Sequence, residues 1–266
     1  MPITEPDRAI ILAAGPGSRL TSETGTPKPL VRVGGKTLAE HTVLALRDGA
    51  GITNFIVVTG HEADAITAHF DLIARGHDVT VDAVTATDWR FGNGASALAA
   101  REHVGDAPFF LTMTDHMFDP EIAETLARHV PEPGEMCLAV DRDKDGIFDL
   151  DDVTRVRLED GQIREIGKNL DAWDAADTGI MLCTSGLFEG LELAAANGLH
   201  GLSDGLRHLA RQGRAKTAEV TGKFWLDVDT PEALQEAETH EKICLSKGGQ
   251  RSVSEPAQLG PRYGNS

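Results

Sequence analysis

Cations are scarce in this chain. Of its 266 residues, 42 are acidic and 25 basic, a formal charge of −17. The mean field therefore repels nucleic acid, anionic membrane and nucleotide alike, and any anion site has to be built locally. Cysteine is scarce too: Cys137, Cys183 and Cys244 are odd in number and lack CxxC spacing, so reduced thiols in a cytosolic protein are expected, two of them inside apolar runs that read as buried strands. No apolar stretch reaches the roughly 18 residues needed to span a bilayer, so neither secretion nor membrane insertion is expected. No internal repeat is present. A third glycine is missing as well: Leu20 stands where GxGxxG requires glycine after Gly15 and Gly17, which argues against an NAD dehydrogenase. What remains is a hydrophobic fraction of 41%, enough for the core of one large domain or of one and a half smaller ones.

Against this background one segment stands out. Ile10-Ile-Leu-Ala-Ala-Gly15-Pro-Gly17-Ser-Arg19-Leu20 is followed by Thr26-Pro-Lys28-Pro-Leu: an apolar strand, a glycine turn, then two cations. Glycines let consecutive backbone N–H groups turn toward one anion, and a following helix start adds its positive end. Backbone from Leu12, Ala13, Ala14, Gly15, Gly17 and Ser18, with the charges of Arg19 and Lys28, is thus the expected polyphosphate cradle. The plain alternative is a strand end with solvated basic residues. On the cradle reading, with Lys28 taken as an exposed side chain, its replacement by alanine is expected to depress turnover far more than folding. A triphosphate also needs its charge neutralised, and a divalent metal on carboxylates suits an acidic chain.

Strand-like runs at 8–13, 54–59, 79–84, 108–113 and 136–140 alternate with helix-like runs at 37–48, 63–74, 95–103 and 120–129, the pattern of a mainly parallel sheet with helices on both faces. Ligands in such sheets sit beyond the carboxyl ends of the strands, where the glycine loop lies. After 140 the pattern turns antiparallel. A hairpin at 154–158 and 163–166 has Asp160-Gly161 at its turn; a strand at 179–183, helices at 187–196 and 203–212, a strand at 215–220 and a helix from Pro231 to about 242 follow. The expected organisation is one catalytic domain over 1–245, an acceptor-binding lobe inserted at about 141–222, and a flexible tail over 246–266.

Several residues could carry chemistry. Thr114 and Asp115 emerge at the end of an apolar strand beside the glycine loop, where a metal carboxylate or a mere turn former would stand. Asp227 and Asp229, two apart on an extended segment, could face one Mg²⁺ with Asp115; Asp229 or Thr230 could equally cap the helix at Pro231. Asp141 to Asp152 matches a calcium loop at positions 1, 3, 5, 6 and 9 but lacks flanking helices, so a loop rimming an acceptor pocket is the preferred reading. Lys168 could meet a second phosphate, and Asp177 with Thr178 could reach the same pocket. Gly92-Asn93-Gly94 with Ser96 could contact a base edge or start a helix.

Gly15-Pro-Gly17-Ser-Arg19, Pro27-Lys28-Pro29-Leu30, Gly92-Asn93-Gly94, Asp115-His116 and Trp225-Leu-Asp227-Val-Asp229-Thr230 together resemble the sugar-phosphate nucleotidyltransferase family over residues 8 to 243. Phe148-Asp-Leu-Asp-Asp152-Val-Thr-Arg-Val, Ile166-Gly-Lys168-Asn-Leu and Asp177-Thr-Gly179 are most similar to its CTP:inositol-1-phosphate cytidylyltransferases; choline-phosphate and phosphonate cytidylyltransferases share much of this. The resemblance implies a Rossmann-like α/β fold of GT-A type, with Gly15, Gly17, Arg19 and Lys28 on the CTP phosphates, Mg²⁺ on Asp115, Asp227 and Asp229, and Lys168 on the acceptor phosphate. Expected partners are CTP and a small phosphorylated or phosphonate acceptor, with no nucleic acid or membrane, and a homodimer is compatible. A UTP-, GTP- or ATP-dependent sugar-phosphate transferase and a non-catalytic nucleotide or calcium sensor are the rival readings. Two departures stand out. Archaeal relatives are often fused to a membrane-bound synthase, whereas a short polar tail follows here, so later transfer to an alcohol is expected to need a separate enzyme. Thr87-Asp88-Trp89-Arg90 stands where the family has a more proline-rich bend.

Overall fold

A computed structural model describes residues 5–249. The strand β1 (Arg8–Ala13) is buried on both faces because its residues alternate between two clusters: Ile10 and Leu12 go to one side, Ala9, Ile11 and Ala13 to the other. This is the signature of a central strand in a sheet covered twice. After the glycine turn come α1 (Ser18–Thr24), the short hairpin β2 (Arg32–Val33) and β3 (Lys36–Thr37), and α2 (Leu38–Ala50). Thr37 and Glu40 form a reciprocal capping box at the start of α2, which fixes where that helix begins. Then follow β4 (Asn54–Thr59), α3 (Ala63–His77), β5 (Thr80–Thr85), α4 (Asn93–Leu98), α5 (Arg101–Val104), β6 (Phe109–Met113), β7 (His116–Phe118), α6 (Pro120–Ala127) and β8 (Met136–Asp141). The single helix expected at 95–103 is two short ones.

The second half comprises β9 (Arg155–Glu159), β10 (Gln162–Gly167), β11 (Ala175–Cys183), α7 (Gly186–Ala195), α8 (Leu202–Arg211), β12 (Ala215–Glu219), β13 (Trp225–Asp227) and α9 (Pro231–Gly249). Nine strands share one sheet in the order β5-β4-β1-β6-β11-β8-β12-β10-β9. Strands β5, β4, β1 and β6 run parallel, as do β8 and β12, while β11 and the β9–β10 hairpin are antiparallel. Within the segment expected at about 141–222, β11 and β12 flank β8 in the main sheet, and β9 pairs back onto β11. Asp160 and Gly161 take φ of 52° and 75°, the left-handed pair that a two-residue hairpin turn requires.

Helices α4, α7 and α8 cover one face and α2, α3 and α6 the other, through Ala97, Leu187 and Leu206 and through Val43, Phe70 and Ile122 respectively. A third, smaller core of Leu20, Val33, Leu38, Met117, Leu226 and Val228 lies beneath β7 and β13. Strand β1 is flanked by β4 and β6, both parallel to it, and the chain reverses its direction of travel there, which places a crevice at their carboxyl ends. Helix α9 runs to Gly249, past its expected end near 242; the rest of the segment read as a tail, 250–266, lies outside the described residues. Among the described residues no helix is long and apolar enough to cross a membrane.

Candidate active site

The loop after β1 is built around a close approach. Gly17 has φ of 53°, and a Cβ there would lie 2.5 Å from the Cβ of Lys28, so glycine is required both by conformation and by the lysine stem against it. Pro27 and Pro29 bracket Lys28 in a single 3₁₀ turn. That turn sends the side chain inward: Lys28 is only 8% exposed, which corrects the reading of it as an exposed lysine. Its Nζ donates to Asp115 Oδ2 at 2.8 Å and lies 3.5 Å from Asp227 Oδ1. Burial works against its charge, yet the Asp115 and Asp227 carboxylates outweigh it and hold its pKa above the ordinary value.

Asp115 follows β6 directly, and Asp227 reaches it through the ribbon formed by β7 and β13, where Asp227 stands opposite His116 and the Val228 N–H donates to the Asp115 carbonyl at 2.8 Å. Desolvation would raise the Asp115 pKa, but Lys28 and His116 overcome it and keep this carboxyl well below the usual range. His116 is raised to about 9: burial opposes the charge, and its hydrogen bond to Asp115 with the nearby Asp227 carboxylate prevails. Its ring lies against Gly179, where a Cβ would come within 2.2 Å, and Gly179 has φ of 79°. The pairing of β11 with β8 slips in register between Asp177 and Met181; this bulge re-aims the strand, so that Asp177 lines the same cavity as His116.

Asp115, His116 and Asp227 offer ligand atoms within 4.8 Å of one another. Asp227 Oδ1 is buried with no hydrogen bond, its pKa pushed up by burial and by Asp115. A carboxylate has about four lone-pair sites, so Asp115 keeps capacity beyond its bonds to Lys28 and His116. Two carboxylates converging on an unsatisfied oxygen fit a hard divalent cation. Asp229 lines the same cavity, where its carboxylate accepts from Arg19 and raises the pKa values of Lys28 and Asp227.

These groups open into one cavity of about 320 Å³. Arg19, Asn93, Asp115, Asp227 and Asp229 line it together with Lys168 and Asp177. Asp152 bridges the two ends, accepting from Lys168 and lying 3.4 Å from Arg19 Nη2. Other expected residues also make contacts within the protein. Asp141 accepts from the Trp225 indole at 2.8 Å and from the Asp143 N–H, and Thr178 Oγ1 is buried and donates to the Ala139 carbonyl. Asn93 Oδ1 accepts from the Leu202 N–H, Ser96 Oγ donates to the Gly92 carbonyl, and the Gly94 N–H donates to the His200 carbonyl, against which a Cβ on Gly92 or Gly94 would come within 2.7 Å. Leu12 and Ala14 give their carbonyls to the N–H groups of Thr114 and His61, while Ala13 and Ser18 stand at the end of β1 and the start of α1. Trp89 lies over Gly60, and the Arg90 guanidinium stacks 4.4 Å from its ring centroid.

Residues 9–216 match the MobA-like NTP transferase domain. The chain belongs to that family. A protein of Rubrobacter xylanophilus named bifunctional IPC transferase and DIPP synthase is 39% identical over 231 residues, 86% of this chain and 51% of that protein. One of the same name from Archaeoglobus fulgidus is 36% identical over 86% of this chain and 43% of its own length. The chain thus spans about half the length of these curated relatives. In fold it is similar to the inositol-1-phosphate CTP transferase of T. maritima, with a TM-score of 0.79 at 23% identity over 90% of this chain and 98% of that one.

Within this NTP transferase domain, sequence reasoning gave no role to His116, to Asp152 as a bridge, or to the apolar lining from Ile147, Phe148, Met181 and Leu206. The one signal was at hand: Ile147 and Phe148 are two apolar residues that interrupt an acidic stretch, and both line the cavity.

Proposed function

We propose that the chain transfers the CMP group of CTP to inositol 1-phosphate, a small phosphorylated alcohol, releasing pyrophosphate. One observation carries the reading: a single cavity is bounded on one side by the Arg19, Asp115 and Asp227 groups of the nucleotide half and on the other by Lys168, so two phosphorylated reactants would meet across it. The IPC transferase name of the relatives supports the choice of acceptor.

In the proposed reaction an oxygen of the acceptor phosphate attacks the α-phosphorus of CTP. The new O–P bond forms as the bond to the β-phosphate oxygen breaks, and pyrophosphate leaves with the electron pair. The nucleophile is already an anion, so no side chain need remove a proton. Catalysis is positioning and charge stabilisation. Lys28 and Arg19 bind the nucleotide phosphates, and Lys168 orients the acceptor phosphate. Asp115 and Asp227 would hold Mg²⁺, which when bound supplies charge neutralisation to the phosphate oxygens. His116 fixes the Asp115 carboxylate, and Asp177 accepts from acceptor hydroxyls, a role supported by its position in the cavity lining.

Pyrophosphate release tests this directly, with CTP, UTP, GTP and ATP each paired with inositol 1-phosphate, choline phosphate, 2-aminoethylphosphonate and glucose 1-phosphate. CTP with inositol 1-phosphate should give the highest kcat/KM and require a divalent cation. A higher value for any other pair refutes the assignment. A second expectation concerns the loop. Gly17→Ala places a methyl against the Lys28 stem and adds roughly 1–2 kcal/mol of left-handed strain; since a displacement of about 1 Å costs about 100-fold, kcat should fall by that order. A variant within threefold of wild type would show that Lys28 does not depend on this contact.

A further inference from the structure

Asp152 lies between two cations from opposite halves of the chain. One carboxylate oxygen accepts from Lys168, which follows β10, and the other is 3.4 Å from Arg19, which stands at the start of α1. Its backbone N–H is held by Asp149 Oδ1 at 3.2 Å, and the same loop carries Ile147 and Phe148 into the cavity wall. The hydrogen bond from Lys168, opposed by partial burial, keeps the acid below its ordinary range. A two-oxygen anion spanning one ammonium and one guanidinium has the placement of a phosphate monoester, and here the chain supplies it from itself.

We propose that Asp152 determines specificity for the acceptor: it holds the position between Arg19 and Lys168 as an internal competitor, so that only a ligand bearing a phosphate-type dianion takes it over. This rests on reading the Lys168 end of the cavity as the acceptor subsite. The asymmetry is physical. A carboxylate on a short tether competes at an effective concentration on the order of millimolar, which turns away carboxylates and neutral polyols at lower concentrations. A phosphate monoester brings about −1.5 to −2 charges and three acceptor oxygens, enough to displace a singly charged group.

The test titrates the full chain calorimetrically with inositol 1-phosphate and, separately, with inorganic phosphate, in wild type, Asp152→Asn and Asp152→Glu. Removing the internal competitor should tighten binding of both probes about tenfold in Asp152→Asn, with the acceptor KM falling in parallel, and Asp152→Glu should restore the weaker wild-type affinity. Weaker binding in Asp152→Asn would make Asp152 a ligand of the acceptor, and unchanged binding would make it a bystander; either result overturns the proposal. A gain seen with inorganic phosphate in a protein that does not bind inositol 1-phosphate would uphold the competitor while removing the acceptor assignment.

Discussion

Lys28→Met should lower kcat/KM about 1,000-fold and, in metal-free buffer, lower Tm by roughly 10 °C. The methionine keeps most of the aliphatic stem that packs on Gly17, so the loop retains its shape and only the charge is lost. On the activity side, one preorganised donor aimed at developing charge is worth about 100- to 1,000-fold, and a full positive charge in a largely buried site belongs at the upper end. On the stability side, the Lys28 ammonium faces both Asp115 and Asp227, and His116, its pKa raised to about 9, is the second cation beside them. Removing one partner of a buried ion pair costs about 3–5 kcal/mol because the other charge is left uncompensated, and about 2–4 °C accompanies each kcal/mol in a chain of this size. A divalent cation can supply the missing charge. Mg²⁺ should therefore raise the Tm of Lys28→Met more than that of wild type, as followed by thermal melts in EDTA and in Mg²⁺. A variant that keeps activity within tenfold would remove Lys28 from the phosphates, and one that melts like wild type in EDTA would contradict the ion-pair account.

What the sequence made legible is what depends on local pattern. The alternation of Ile10 and Leu12 with Ala9 and Ile11 marks a doubly buried strand, Asp160-Gly161 marks a hairpin turn, and the glycines after β1 mark a close approach; each follows from the residues themselves. The burial of Lys28 was not legible, because it depends on where the carboxylates of two distant strands fall. Asp227 meets Asp115 through β7 and β13, strands of three residues each, too short to show any periodicity. Strand β13 ends at Asp227, so the strand period does not reach Asp229; Asp229 still lines the same cavity, where it accepts from Arg19. Asp141 and Thr178 illustrate a second limit: the sequence does not show that Asp141 accepts from the Trp225 indole or that Thr178 donates to the Ala139 carbonyl, because both partners lie on other strands. The nonlocal pairing of β11 with β6 was likewise not legible, because it leaves no trace in the residues next to either strand.

Asp227→Asn should lose activity while gaining stability, the opposite pairing of effects from Lys28→Met on the stability axis. Without metal, Asp227 sits beside a second carboxylate and is partly desolvated, which is why its pKa lies above the ordinary value. An asparagine removes that repulsion and leaves Lys28 paired with Asp115, so Tm in EDTA should stay level or rise by a few degrees. The same change takes away one of the carboxylates proposed to hold Mg²⁺. Stabilisation by a ligand grows as RT ln(1 + [L]/Kd), so the Tm increase with Mg²⁺ expected of wild type should shrink sharply, and kcat/KM should fall about 1,000-fold through lost charge neutralisation. The double variant Lys28→Met with Asp227→Asn separates the roles. If the two side chains interact as an ion pair, their effects on Tm in EDTA are non-additive and the double variant melts well above Lys28→Met alone. Its activity should nonetheless be no better than that of either single variant, because compensating the charge inside the protein does nothing for the charge on the substrate. Additive Tm effects, or an Mg²⁺ response in Asp227→Asn equal to that of wild type, would show that Asp115 and Asp227 do not form a common cation site.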